Sequence, residues 1–310
     1  MESDDDMGLG DLMPPSPPPP EATFSTYTLP EGYGPDELKI RLVGSHPLWG
    51  HHLLMDGAAI LPGTAVADAE AQADFRWNTA LVTTSYILSH PSLSRHKRVL
   101  ELGAGGGLPS LGCALAGAKT VLITDYADAS LVENIEYNVE SNLGGSEEGR
   151  AVKVLGHVWG HDVTPLLECQ SEAESAVDDP LPGNVPNFDL VILSDLMFNH
   201  SQHAALMKTL EGTLRGGPVP QFIEGKTPCA LVFFTHHRPW YAKEDMAFIE
   251  ELGKKGWQCD RVAEQYTGAM FEDDPGDERV RGTVHGFRCW RSSAPREPQQ
   301  ESEEDKAPES

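Results

Sequence analysis

Arg98-Val99-Leu100-Glu101-Leu102-Gly103-Ala104-Gly105-Gly106-Gly107-Leu108-Pro109 is the stretch from which the rest of the chain is read. Val99, Leu100 and Leu102 are strand residues, with only Glu101 polar among them. A glycine-dense turn follows. Leu108, Pro109 and Ser110 then open an apolar helix that runs to Ala116 and stops at Gly117. Proline suits a first helical turn because its missing N–H would be unpaired there anyway. A tight glycine turn between strand and helix offers bare backbone to a ligand and aims helix N–H groups at polar or negative atoms. The stretch therefore reads as a cofactor-binding βα turn.

Spacing narrows the cofactor. A dinucleotide fingerprint needs G-x-G-x-x-G, and its third glycine would fall on Leu108. The next strand, Thr120-Val121-Leu122-Ile123-Thr124-Asp125, ends in an acid 22 residues after Gly103, the separation that one strand–helix–strand unit produces. A carboxylate there can accept both ribose hydroxyls of an adenosine. The pattern E-x-G-x-G-x-G from Glu101 resembles motif I of class I S-adenosylmethionine-dependent methyltransferases. Turn, helix and acidic strand end together outweigh the bland alternative, a glycine turn without a ligand.

The flanking chain organises around this unit. Residues 1–22 are acidic, then proline-rich, and are expected to be a disordered tail. Residues 23–63 hold an alternating strand, Leu38 to Val43, and read as a small β appendage. His46, His51 and His52 have no cysteine or carboxylate cluster beside them, so no metal is expected. A helical pattern runs from Ala65 to Ser89, with Ala80, Leu81, Thr84, Ile87 and Leu88 on one face. Trp77, on spacing alone, is a packing residue.

After Asp125 come a helix near Ala127–Asn142, with Asn134 and Asn138 one turn apart, and a strand at Ala151–Leu155. Residues 168–187 read as an exposed insertion. A strand at Phe188–Leu193, a helix at His203–Leu214, a strand at Ala230–Phe234 and a helix at Lys243–Lys255 follow. Two strands close together, Cys259–Ala263 and Thr283–Trp290, come last, and the mixed residues of the second suggest a sheet edge. The pattern predicts an α/β fold: an open, doubly wound, seven-stranded and mostly parallel sheet with an antiparallel last hairpin. The main domain is placed at 64–292, and 293–310 is a second disordered acidic tail.

The formal net charge is −25, of which the two tails carry about ten, so the body is acidic as well. Nucleic acid is disfavoured as a direct substrate, and a basic partner is favoured. Five cysteines without a C-x-x-C pair indicate neither zinc site nor disulfide framework. No apolar run reaches membrane-spanning length, and no signal peptide pattern opens the chain. A soluble monomer in a reducing compartment, most simply the cytoplasm, is expected.

In open α/β sheets the ligand lies beyond the carboxyl ends of the strands. That rule gathers the Gly103–Gly107 loop, Asp125, Trp159, Ser194, Asp195, His236 and His237 into one cleft. Trp159 can lie against an adenine face, or simply pack. Asp195 faces the place where methyl donor and acceptor meet, or caps a helix.

R-W-N-T-A at Arg76–Ala80, the glycine motif, T-D-Y at Thr124–Tyr126, W-G at Trp159–Gly160 and S-D-L-M-F-N-H at Ser194–His200 resemble the seven-strand protein lysine methyltransferases that modify translation factors and chaperones. The leader L-V-G-S-H-P-L-W-G-H-H at Leu42–His52 and the F-N-H ending resemble the fungal elongation factor methyltransferase group, also called nicotinamide N-methyltransferase-like. That resemblance covers about residues 25–292. It implies S-adenosyl-L-methionine as cofactor, with Glu101 in the glycine motif and Trp77, Gly103, Ala104, Gly105, Asp125, Trp159 and Ser194 in contact with it. It implies as substrate the N-terminal glycine and adjacent lysine of translation elongation factor 1-alpha.

The wider family carries D-x-x-Y after the fourth strand, where this chain has Asp195-Leu196-Met197-Phe198. The tyrosine hydroxyl is absent and an aromatic wall remains. Asp195, as hydrogen-bond acceptor for the amine, and Phe198, as wall of the transfer channel, are the expected catalytic residues. The alternatives are a small-molecule N-methyltransferase acting on nicotinamide, which needs a closed acceptor pocket, and a non-catalytic interaction protein that retains the fold.

Overall fold

All five residues of Arg98–Leu102 are buried, so the segment must be flanked on both edges and covered on both faces. The computed structural model describes residues 22–42, 78–171, 187–215, 228–269 and 275–291. It opens with strands β1 (Phe24–Thr28) and β2 (Glu37–Arg41), helix α1 (Asn78–Ser89) and strand β3 (Arg98–Leu102). Then come α2 (Leu108–Leu115), β4 (Thr120–Asp125), α3 (Ala129–Leu143), β5 (Val152–Gly156), α4 (Thr164–Ser171) and β6 (Leu190–Ser194). Helix α5 (His203–Thr213), β7 (Cys229–Thr235), α6 (Ala242–Lys254), β8 (Trp257–Tyr266) and β9 (Thr283–Arg291) complete the order.

The sheet runs β5-β4-β3-β6-β7-β9-β8, parallel from β5 to β7 and antiparallel at β9 and β8. Strand alternation divides the core in two. Val99, Val121, Ile123, Leu190, Ile192 and Leu231 face α1, α2, α3 and the β1–β2 hairpin. Leu100, Leu102, Leu122, Val191, Leu193 and Val232 face the other way, onto α5 and α6. This is the doubly wound, mostly parallel seven-stranded sheet expected from the pattern.

One expectation is corrected. Thr283–Trp290 is not the edge: β9 pairs with β7 on one side and β8 on the other, and β8 is the edge strand. Burial explains the difference, since β9 hides Val284, Phe287, Cys289 and Trp290 while most of β8 is exposed or half-buried. The leader from Val43 to His52, Trp77, most of the 168–187 insertion and nearly all of both acidic tails lie outside the described residues.

The helices begin where their sequences permit. Asp128 caps α3, its carboxylate accepting from Ser130 N–H at 2.8 Å. Helix α1 buries Thr79, Thr83 and Thr84. Thr83 and Thr84 donate back to the carbonyls of Thr79 and Ala80, each at 2.7 Å, which satisfies their hydroxyls inside the core.

The hairpin is bound to the sheet domain by a ladder of asparagines on α3. Asn138 accepts from Arg41 N–H at 2.7 Å and donates to the carbonyls of Arg41 and Gly106, both at 3.0 Å. Asn142 does the same for Lys39, accepting at 2.8 Å and donating at 2.9 Å, and Asn134 donates to Arg41 O at 3.1 Å. These amides pair the outer edge of β2 as a neighbouring strand would. Asn138, on the helix, thus bonds to both the hairpin and the glycine loop. Asn138→Ala strands Arg41 N–H and Gly106 O, while Arg41 O keeps Asn134, and is expected to lower stability by about 1–3 kcal/mol, measured by urea denaturation. A variant as stable as the wild type would show that the hairpin docks by apolar contact alone.

Candidate functional site

Parallel strands leave their carboxyl ends along one rim, and the loops leaving β3 and β6 meet there. One pocket is lined by Glu101, Gly103, Ala104 and Gly105 from the first, and by Ser194, Asp195 and Leu196 from the second. Ala80 and Leu81 of α1 close a side. Ser25, Tyr27, Ile40 and Leu42 of the hairpin close another. The alternating strand at Leu38 was visible in the sequence, but its place over the glycine loop was not. Asn138 was the available signal: an amide one helical turn after another, on the helix that follows the acidic strand end.

Two glycines show what the loop requires. Gly103 has φ +63°, and a Cβ there would stand 2.7 Å from Leu196 and 2.9 Å from Trp159. Gly105 has φ +55°, yet a Cβ would meet nothing within 4 Å. The first is crowded by protein and the second opens onto free space, so only the first is explained by packing.

Glu101 is fully buried beneath this loop. Its Oε2 accepts from Ser110 N–H at 3.1 Å, at the start of α2, while Oε1 has no hydrogen-bond partner among the described residues. Burial pushes its carboxyl up to about 8, with the nearby Asp125 charge acting the same way, against the Ser110 hydrogen bonds. Asp125, at the tip of β4, accepts from Gly105 N–H and from Tyr126 N–H, each at 2.7 Å. Trp159 is half-buried, and its ring reaches the Gly103 backbone.

Asp195 adopts φ +62°, a left-handed conformation that aspartate tolerates better than most residues. Its N–H donates to Phe233 O at 2.7 Å. His237 Nε2 lies 3.0 and 2.9 Å from its two carboxylate oxygens. Ser194 Oγ is 3.4 Å from Thr83 Oγ1 of α1. Phe198 stands further out, half-buried and edge-on to His237 at 6.3 Å between ring centroids. Arg238 donates to its carbonyl at 3.1 Å.

His236 does not join the cleft, contrary to expectation. Strand β7 ends at Thr235 and the chain turns there, His237 N–H donating to Thr235 O at 3.0 Å. As His237 turns to Asp195, His236 turns away, and its Nδ1 meets Asp245 at 2.7 Å. Asp245, His200 and His203 belong to that second cluster, and sequence reasoning did not find it. Its members are dispersed between residues 200 and 245 with no spacing that marks them. No group able to hold a metal ion occurs among the described residues, and no helix among them is long and apolar enough to cross a membrane.

The profile of the lysine methyltransferase family matches residues 68–223. The chain is 44% identical over 309 residues to the protein N-terminal and lysine N-methyltransferase EFM7 of Cryptococcus neoformans var. neoformans serotype D, covering 94% of this chain and 90% of that one. It is 36% identical over 275 residues to the protein N-terminal and lysine N-methyltransferase efm7 of Schizosaccharomyces pombe, covering 89% and 90%. Among solved structures the likeness is faint. A precorrin-6y C5,15-methyltransferase from Geobacter metallireducens aligns with TM-score 0.42 and 13% identity, over 67% of this chain and 87% of that one.

The buried Glu101 sets a pH dependence. Between 4.5 and about 8 the folded chain keeps a proton that the unfolded chain has released. Its contribution therefore weakens stability as pH rises through that window, by at most about 1.4 kcal/mol per pH unit. Glu101→Gln keeps the oxygen for Ser110 N–H and removes the titration. Denaturant melts across this range are expected to show the variant gaining on the wild type as pH rises. A difference independent of pH would contradict the assignment.

Proposed function

Since the chain belongs to the lysine methyltransferase family and is an S-adenosyl-L-methionine-dependent N-methyltransferase, we propose that its acceptor is a protein: the N-terminal glycine and adjacent lysine of translation elongation factor 1-alpha. The observation that carries this reading is Asp195, a buried carboxylate facing the pocket and backed by His237. A carboxylate can accept a hydrogen bond from an incoming amine. It has no such use toward the ring nitrogen of nicotinamide, which carries no hydrogen to donate. The relatives' names, for protein N-terminal and lysine methylation, support the same choice.

The residues fit the cofactor. The orphaned Glu101 Oε1 beneath an open glycine loop is a buried oxygen that a polar group of a ligand would satisfy, and Gly105 leaves its backbone clear. Glu101, Gly103, Ala104, Gly105 and Ser194 would hold the methionine end, Asp125 the ribose and Trp159 the adenine. Trp77 is assigned to the same set by resemblance alone. When bound, the cofactor supplies an electrophilic methyl group on a sulfonium sulfur.

The protein's task is then to present a neutral amine in line with that methyl. An α-amine, with a pKa near ~8, is neutral more readily than a lysine near ~10.4. Asp195 would orient the lone pair by accepting an amine hydrogen, and Phe198 would wall the approach. Positioning of this kind supplies much of the acceleration in a direct displacement. The acidic body would draw in a basic, flexible N-terminus. All five cysteines are free thiols, which accords with the cytoplasm as the site of action.

A peptide with the factor's N-terminal sequence is expected to be methylated, at a rate that falls as salt rises. Acetylating its α-amine should abolish transfer to that nitrogen, read by mass spectrometry. Asp195→Ala should lower turnover at least about tenfold while leaving cofactor affinity nearly intact, since the lost bond is a charge-assisted one. Methylation of free nicotinamide, with factor and peptide ignored, would replace this reading by the small-molecule one.

A further inference from the structure

The acceptor side of the site is closed into a ring by a residue that lines none of the pocket. The loop after β6 carries Asp195 and Phe198 and ends at His200. His200 Nε2 lies 2.6 Å from one carboxylate oxygen of Asp245, at the start of α6, and His236 Nδ1 lies 2.7 Å from the other. His236 is bonded in sequence to His237, which grips Asp195. The path Asp195–loop–His200–Asp245–His236–His237–Asp195 therefore returns to its origin.

Asp245 is 2% exposed. A carboxylate so placed is costly unless charge-assisted hydrogen bonds compensate, and here each oxygen has one. A first-turn acid on a helix has a simpler use in offsetting the helix dipole, but that role needs neither burial nor two imidazoles. The loop itself forms no regular strand or helix between Asp195 and Asn199. Its geometry comes from ties of this kind together with the burial of Leu196 and Met197, the Arg238 bond to Phe198 O and the contact of His203 Nε2 with Met197 O at 2.9 Å.

We propose that Asp245 is a positioning residue for methyl transfer, setting Asp195 and Phe198 relative to the bound cofactor through His200 and through His236–His237. The proposal rests on the reading of Asp195 as the residue that meets the acceptor. In Asp245→Asn one imidazole faces an amide N–H where it had an oxygen, so it must lose its bond or change tautomer.

The test measures transfer from labelled S-adenosylmethionine to the proteins of a eukaryotic cell lysate, with cofactor affinity read separately by calorimetry. Full-length Asp245→Asn is expected to lose about a hundredfold in turnover, the scale of a small misplacement, with cofactor affinity unchanged. His200→Gln, whose amide N–H can stand where Nε2–H stood, is expected to recover most of the turnover that His200→Ala loses.

Wild-type turnover in a folded Asp245→Asn would overturn the proposal. So would cofactor affinity falling in step with turnover, which marks a merely structural role. Should Asp245→Asn not fold, equal rates for His200→Gln and His200→Ala overturn it equally. A wild-type enzyme that labels lysate proteins but ignores the factor's peptide refutes the acceptor named above and leaves these ratios readable.

Discussion

The site depends on a place with no room for a side chain. At Gly103 the backbone turns left-handed, and Leu196 and Trp159 close over the space a Cβ would take. Leu196 follows β6 and Trp159 follows β5, so three strand exits converge on one atom's absence. Helix α2 can then begin directly after the turn, and Glu101 can reach the Ser110 N–H in its first turn from below. A larger residue there would separate the loops that form the pocket's floor and far wall.

Much of this was legible beforehand. Strand, glycine turn, proline at the helix start and the acid ending β4 are local signals, each decided within a few residues, and the structure places them as read. That the sheet is mostly parallel follows from the alternation of strands and helices. What could not be read depends on contacts between distant segments. The β9 assignment failed because a mixed composition describes both an edge and an inserted strand, and only pairing partners distinguish them. The hairpin was recognised as a separate strand-bearing piece, but its role as a pocket wall is written in amides nearly a hundred residues away.

His236 and His237 illustrate the same limit at the smallest scale. Two identical neighbours were read as one feature, yet the turn that follows β7 sends them to different carboxylates. His285, close against His236 with its own charge disfavoured by burial down to about 4, stays neutral in that company. The cluster holds directional hydrogen bonds from His200 and His236 around one acid, Asp245.

The insertion of β9 between β7 and β8 governs when the molecule can exist during its own synthesis. Six strands of the sheet leave the ribosome before Thr283 does, and one of them, β8, has no partner among those six. Until β9 arrives, β7 presents an unpaired, wholly buried-type edge of Cys229, Ala230, Leu231, Val232, Phe233 and Phe234 to the surrounding solution. Such an edge invites mispairing with other chains. The sheet of the described residues is therefore complete only when β9 slides between β7 and β8, and the loop that leaves β7 with His236 and His237 gains its paired strand no earlier.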